Sequence, residues 1–259
     1  MKYIDIHCHL DFPDYDSDRE EVLVRMREKE VGAITIGADL ESSKRAVKIA
    51  ETNENVWACV GVHPDNAPFA PPLNLRGGRG ELGELVLSKK TVAIGECGLD
   101  YFRLDPAFAK ATAGKQKKLF ESQIQFAIKH NKPLMLHIRE AYDDALEILR
   151  SYPGIKGNVH FFAGDTKIAK KFLDLDFTLS FTGVITFTHD YDEVIKYIPP
   201  NSIMSETDAP FVAPVPYRGK RNEPAYVVEI VKKMAEIRGE NEDILSEAII
   251  NNAKRVFGI

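Results

Sequence analysis

Cysteine is scarce. Cys8, Cys59 and Cys97 are the whole complement, an odd number without a CxxC pair, which favours reduced thiols over a disulfide framework. No run of about 18 apolar residues occurs, so no membrane-spanning helix is expected. The chain reaches Asp5, His7 and His9 with neither an apolar stretch nor a small-residue cleavage site before them. No secretory signal is therefore expected, and the expected compartment is the cytoplasm. Positive charge is not in excess: 34 Lys and Arg stand against 39 Asp and Glu, a net charge of −5. That excludes a generic DNA-coating surface, so any contact with nucleic acid must be local.

A dinucleotide fingerprint is also missing. The GGRG of Gly77–Gly80 lacks the GxGxxG spacing and follows a Pro-rich loop, Ala67–Leu75, instead of a strand; it reads as an insertion before the third helix. Neither a linker nor a repeat divides the chain, and residues 1–259 are expected to form one domain. With 44% hydrophobic and 28% charged residues, the composition excludes disorder and collagen-like folds.

What is present is alternation. Short apolar runs rich in β-branched residues occur at Tyr3–Cys8, Ala33–Gly37, Val56–Val62, Val92–Glu96, Leu134–Ile138, Asn158–Phe162, Phe177–Phe181 and Ser202–Glu206. Between them lie helical periodicities, such as Phe120, Ile124, Ala127 and Ile128, or Val227, Ile230, Val231 and Met234. Eight strand-then-helix units in about 250 residues predict a closed (β/α)8 TIM barrel. A further C-terminal helix, about Glu242–Val256 and stopped by Gly258, is expected beyond the eighth unit.

Histidines and acids recur at the carboxyl ends of these strands. His7 and His9 close the first, two apart and so on one face. Seven histidines in the chain would give an HxH triplet about 0.2 times by chance, so the triplet alone decides little. However, Glu96 closes the fourth strand, His137 the fifth and His160 the sixth, and Asp208 follows the eighth. In a barrel those ends share the face where the βα loops gather. Four imidazoles and two carboxylates exceed what one ion takes while keeping an open position. They suit two divalent cations about 3.5–4 Å apart with a bridging carboxylate.

Several of these segments resemble one family. Tyr3-Ile-Asp-Ile-His-Cys-His-Leu-Asp11, Ala93-Ile-Gly-Glu-Cys-Gly-Leu-Asp-Tyr101, Pro133-Leu-Met-Leu-His-Ile-Arg139 and Ser205-Glu-Thr-Asp-Ala-Pro210 are similar to the signature blocks of the TatD family of metal-dependent deoxyribonucleases, within the amidohydrolase-like barrels. Gly61-Val-His-Pro64 and Arg218-Gly-Lys-Arg-Asn-Glu-Pro224 are similar as well. The resemblance implies that His7, His9, Glu96 and Asp208 hold one cation and Glu96, His137 and His160 the other, with Glu96 bridging. It also implies DNA as substrate, single-stranded or at 3′ ends, with 3′–5′ exonuclease polarity. The chain departs from the family pattern at His160-Phe-Phe-Ala-Gly164, where the family more often has Cys after the histidine and Thr before the glycine.

Charge arithmetic indicates what such a site does. Two divalent cations against two carboxylates leave about +2 in a partly dry pocket, which attracts a phosphodiester and stabilises its transition state. Asp208 is the candidate to take the proton of the attacking water, as ligand and general base, and Glu96 joins it as a catalytic carboxylate. His63, Arg139, Arg218 and Tyr101 are candidate substrate contacts, with Asp143 the alternative partner for Arg139. Tyr101 and Phe102 could stack on a base. Lys220 and Arg221 extend the basic stretch at Arg218. An imidazole and carboxylate set suits Zn, Mn or Fe on ligand grounds, whereas Mg prefers oxygen; the resemblance favours Mg or Mn. Carboxylic ester or amide hydrolysis, including deacylation of aminoacyl-tRNA, is the alternative, because delivering hydroxide to a polarised carbonyl is the same physics. A binding module that had lost catalysis would lack at least one of the six residues, and none is lacking.

Overall fold

In the computed structural model, residues 1–67, 81–102, 104 and 108–259 are described. The apolar runs form eight strands: β1 (Tyr3–Cys8), β2 (Val31–Ile36), β3 (Val56–Val60), β4 (Thr91–Asp100), β5 (Leu134–Arg139), β6 (Gly157–Val159), β7 (Phe177–Phe181) and β8 (Ile203–Ser205). They pair in parallel in chain order, β1 to β8. Cys8 and Ala209 bridge the two ends, and Ser205 Oγ donates to Ile4 O at 2.9 Å. The result is the expected (β/α)8 barrel. Strands with neither face wet read as continuous apolar runs, and in β1, β2, β4 and β7 every residue is buried.

The helices α1 (Arg19–Glu28), α2 (Leu40–Glu51), α3 (Glu81–Leu85), α4 (Ala109–His130), α5 (Tyr142–Arg150), α6 (Thr166–Leu173), α7 (Asp192–Tyr197), α8 (Val227–Arg238) and α9 (Glu242–Phe257) follow. Val227, Ile230, Val231 and Met234 of α8 all face the core, as do Phe120, Ile124 and Ala127 of α4, while Ile128 at the edge of that stripe is exposed. The expected last helix is α9. The Asn241 side chain caps its first turn and Gly258 leaves it left-handed at φ 68°, the pairing of an Asn N-cap with a C-terminal glycine. No helix among the described residues is long and apolar enough to cross a membrane. The Pro-rich loop beyond Ala67 and the GGRG segment lie outside the described residues.

Three register shifts interrupt the parallel ladder among the described residues, and two of them fall at candidate site residues. Along β1 and β2 the pairing steps from Asp5↔Ala33 to Cys8↔Thr35, three residues against two. Along β4 and β5 it steps from Ile94↔Leu134 to Cys97↔Leu136. Each is a bulge that re-aims the extra residue, His7 lying in the first and Glu96 in the second. Past its bulge β4 continues to Asp100, four residues beyond the expected end at Glu96, because Gly98 and Asp100 keep pairing with His137 and Arg139. Gly95, at φ 152°, permits this: a Cβ there would run into the Met135 carbonyl. By contrast β6 and β8 are only three residues long, ending at Val159 and Ser205, so His160 and Glu206 stand just outside the ladder.

Candidate metal centre

Glu96 lies at the middle of the barrel mouth and its two oxygens face different neighbours. Oε1 is 2.8 Å from His137 Nδ1, 2.8 Å from His160 Nε2 and 3.6 Å from His63 Nε2. Oε2 is 3.5 Å from His7 Nε2 and 3.9 Å from His9 Nε2. Asp208 Oδ1 completes the second group, 3.7 Å from His7 Nε2 and 3.5 Å from His9 Nε2. The structure thus brings together all six residues singled out as ligands, with His63 beside them. Among the described residues three compact donor groups arise: His7, His9 and Glu96; His63, Glu96 and His137; and His7, His160 and Glu206.

The outward nitrogens fix which nitrogen of each ring turns inward. His9 Nδ1 meets Ile36 O at 3.0 Å, and His137 Nε2 meets Asp100 Oδ2 at 3.0 Å. Behind His160, Nδ1 faces Glu206 Oε1 at 3.5 Å without a hydrogen bond, so the holding contacts are those of His9 and His137. Imidazoles held from behind by a carbonyl or carboxylate, with the other nitrogen turned to a common point, form the pattern of metal-binding histidines. His7 adds a stronger sign: it has no exposed surface and neither ring nitrogen has a hydrogen-bond partner. Buried polar atoms are rarely left so, and a cation at the centre would satisfy this one. The donor set therefore fits divalent cations.

His63 is different. Its Nδ1 accepts from Asp65 N at 3.1 Å, which places the proton on Nε2, the nitrogen facing Glu96. That makes it a hydrogen-bond donor over the centre.

Electrostatics follow from burial and crowding. Burial resists ionising Glu96, but His160, His63 and His7 outweigh it and hold the carboxyl well below the usual range. The Asp208 carboxyl is also held down against its burial, by His9 first and then His7. Burial, reinforced by His160, pushes the His7 imidazole down, and burial takes His63 to about 4. Against the same effect, Asp208 and Glu96 raise His9 to about 9. Asp100 and Glu96 raise His137, and Glu96 and Glu206 raise His160. Two anionic carboxylates amid imidazoles that share their charge form a centre into which cations enter by displacing protons.

The backbone around Asp208 is fixed from β1. The buried Asp5 carboxylate accepts Thr207 N at 2.9 Å, Thr207 Oγ1 at 2.5 Å and His7 N at 3.2 Å. Asp208 N donates to His7 O at 2.9 Å and His9 N to Ala209 O at 2.8 Å. The segment that carries Asp208 is thereby stitched to the one that carries both N-terminal histidines.

Sequence reasoning gave no role to Glu206, Asp100 or Asp5. Glu206 is fully buried and accepts Phe161 N at 2.5 Å and Ser180 Oγ at 2.9 Å. Its signal was available: an acid ending an otherwise apolar strand needs partners, and Asp5 within β1 presents the same anomaly. Asp100 could not be read this way, because its partners come from the β4–β5 register.

The expected substrate contacts fare unequally. Arg139 pairs with Asp100 at 3.3 Å and not with Asp143, which Lys171 takes at 3.1 Å; pairing of Asp100 with Arg139 across the ladder decides this. Its guanidinium also lies 4.1 Å over the Phe102 ring. Tyr101 packs partly buried against the core and donates its hydroxyl to Asp144 at 2.8 Å, so this ring is engaged with α5 and the exposed aromatic is Phe102. Arg218 is exposed and lies 3.8 Å over Phe187. Arg221 is occupied by Asp18 at 2.6 Å and Glu223 at 3.3 Å, which leaves Arg218 and Lys220 as the outward cations of that stretch. Cys8, Cys59 and Cys97 are free and buried.

Comparison with known proteins agrees with this centre. The profile of the family described as TatD related DNase matches residues 4–258. The chain is 35% identical to YabD of Bacillus subtilis, named an uncharacterized metal-dependent hydrolase, over 98% of either chain. It is 33% identical to YcfH of Escherichia coli, named likewise, over 100% of this chain and 97% of that one. Among solved structures, YjjV of Escherichia coli, a TatD homolog, superposes with a TM-score of 0.89 at 28% identity, covering 100% of this chain and 98% of its own.

Proposed function

The chain belongs to the TatD related DNase family of metal-dependent hydrolases, and from that premise we propose that it is a deoxyribonuclease, hydrolysing phosphodiester bonds of single-stranded DNA or of 3′ ends in the 3′–5′ direction. One observation carries the reading: the two oxygens of Glu96 face two separate groups of inward-turned donors. His7, His9, Asp208 and Oε2 of Glu96 would hold one cation, and His137, His160 and Oε1 of Glu96 the second. When bound, a pair of divalent cations such as Mg, Mn or Zn supplies the positive charge that draws in a phosphodiester and makes water acidic enough to react near neutral pH.

The chain's own groups do the rest. Asp208, kept anionic by His9 and His7, accepts the proton of the attacking water. His63 donates from Nε2 to a phosphate oxygen. Arg139, steadied by Asp100, and the exposed Arg218 offer guanidinium groups to the flanking backbone, a geometry suited to phosphate. Asp100 holds His137 in orientation from behind, and Glu206 places its charge 3.5 Å from the outward nitrogen of His160. An acidic protein thus gains an anion site confined to the barrel mouth, which is the local contact its net charge requires.

The test is release of nucleotides from 3′-labelled and 5′-labelled single-stranded DNA by wild type and Glu96→Ala, with EDTA and then with added Mg²⁺, Mn²⁺ or Zn²⁺. Metal-dependent release from the 3′ end that disappears in Glu96→Ala is expected. A metal-loaded wild type that cuts no DNA overturns the nuclease reading and directs the search to carboxylic esters and aminoacyl-tRNA.

A further inference from the structure

A cluster of aromatic rings borders the centre on the Asp208 side. The Phe12 ring stacks on His9, with centroids 4.5 Å apart and planes at 29°. Phe211 meets both, 6.0 Å from Phe12 and 6.4 Å from His9, and is 49% exposed. The same loop packs on the turn after β7, where Val215 N donates to Thr186 Oγ1 at 2.9 Å. There Phe187, 43% exposed, lies under the Arg218 guanidinium at 3.8 Å.

Single exposed aromatics are ordinary, but this group begins on a candidate ligand and includes the cation Arg218, whose Nη1 also donates to Ala213 O at 3.2 Å. Its backbone is also held fast. The buried Asn222 side chain donates to Phe211 O at 2.5 Å and Thr207 O at 3.0 Å, while Asn222 N donates to Pro210 O at 3.1 Å. Tyr15 Oη in turn donates to Asn222 O at 2.6 Å. A phenyl ring left half in water on a backbone that Asn222 pins at three points, with Asn222 itself held by Tyr15, is preorganised to receive a flat partner.

We propose that Phe211, backed by Phe12, is a base-stacking subsite that seats the nucleobase next to the reacting ester, with Arg218, held on Phe187 of the adjoining turn, on the following phosphate. This rests on the nuclease reading and deepens it. The occupant is an unpaired base, because a base still stacked inside a duplex presents no free face to Phe211. Phe211 then governs affinity for the nucleic acid, and the hydrolytic step depends on it little.

The test is a fluorescence titration with a trinucleotide carrying phosphorothioate linkages and 2-aminopurine at its terminal base, in the presence of Mn²⁺, beside steady-state cleavage of the ordinary trinucleotide. Wild type is expected to quench the 2-aminopurine on binding. Phe211→Ala is expected to weaken binding about tenfold and to raise KM with little change in kcat, and Phe211→Trp, which restores a flat face, to recover both. Equal affinity and equal KM across wild type, Phe211→Ala and Phe211→Trp, in a protein that cuts DNA, overturn the subsite alone. A wild type that neither binds nor cuts any nucleic acid overturns the nuclease reading and the subsite with it.

Discussion

Glu206 stands directly behind His160: fully buried, it holds Oε1 3.5 Å from the ring's Nδ1 while the opposite nitrogen lies 2.8 Å from Glu96. Ser180 Oγ and Phe161 N fix the carboxylate in turn. Glu206→Gln keeps the shape and removes the charge. The expected result is metal affinity lowered about 10- to 100-fold with the fold intact, read by calorimetric titration with Mn²⁺ or Zn²⁺ beside circular dichroism. Unchanged affinity would leave Glu206 a structural acid only.

Thr207 closes the link between β1 and the segment carrying Asp208 by donating its hydroxyl to Asp5. Thr207→Val strips one donor from a fully buried carboxylate, and a buried acceptor left without its donor costs about 1–3 kcal/mol. Both the denaturation midpoint and kcat should fall, whereas Thr207→Ser should retain most of each. Urea denaturation and initial rates on the three proteins decide it.

Gly95 allows β4 to bulge beside β5 and so sets the aim of Glu96. At φ 152°, with the Met135 carbonyl where a Cβ would stand, Gly95→Ala is strained by about 1–3 kcal/mol. The expected outcome is a lower melting temperature together with weakened metal binding. A variant that melts and binds like wild type would show that the strand absorbs the added methyl without moving Glu96.

Much of this was legible beforehand, for identifiable reasons. Buried parallel strands announce themselves as apolar runs, and barrel closure carries their carboxyl ends to one face, so His7, His9, Glu96, His137, His160 and Asp208 could be gathered from positions far apart in the chain. The rest depends on register, a relation between strands that no single segment encodes. The bulges at His7 and Glu96, the length of β4 and the pairing of Asp100 with both His137 and Arg139 all arise from it. Register also explains why Asp100, and not Asp143, holds Arg139. Of the two rings expected to stack on a base, Tyr101 is engaged because Asp144 on α5 claims its hydroxyl, and Phe102 is the exposed one.

The loop after β8 is tied to α1 by Arg221 and Asp18, 2.6 Å apart. Hydrogen bonding from Arg221 holds the Asp18 carboxyl below its ordinary value. A depressed carboxyl stabilises the fold above its unfolded pKa, about 3.9, and that stability is lost as pH falls through the lower, folded value. Both side chains are close to a third exposed, so the contribution is about 0.5–1 kcal/mol. Arg221→Ala should therefore be less stable than wild type at pH 7, and the gap should narrow as the pH falls below 4. Urea melts at pH 7 and pH 3 measure it; a gap independent of pH contradicts the assignment.

The most direct measurement counts cations. Equilibrium titration of the metal-free protein with Mn²⁺, followed by electron paramagnetic resonance of the free ion, should give two sites per chain in wild type. Because Glu96 serves both groups, Glu96→Gln should weaken both sites together, whereas His137→Ala should weaken one and leave the other. A single site in wild type, or two sites that survive Glu96→Gln unchanged, would contradict a centre bridged by Glu96.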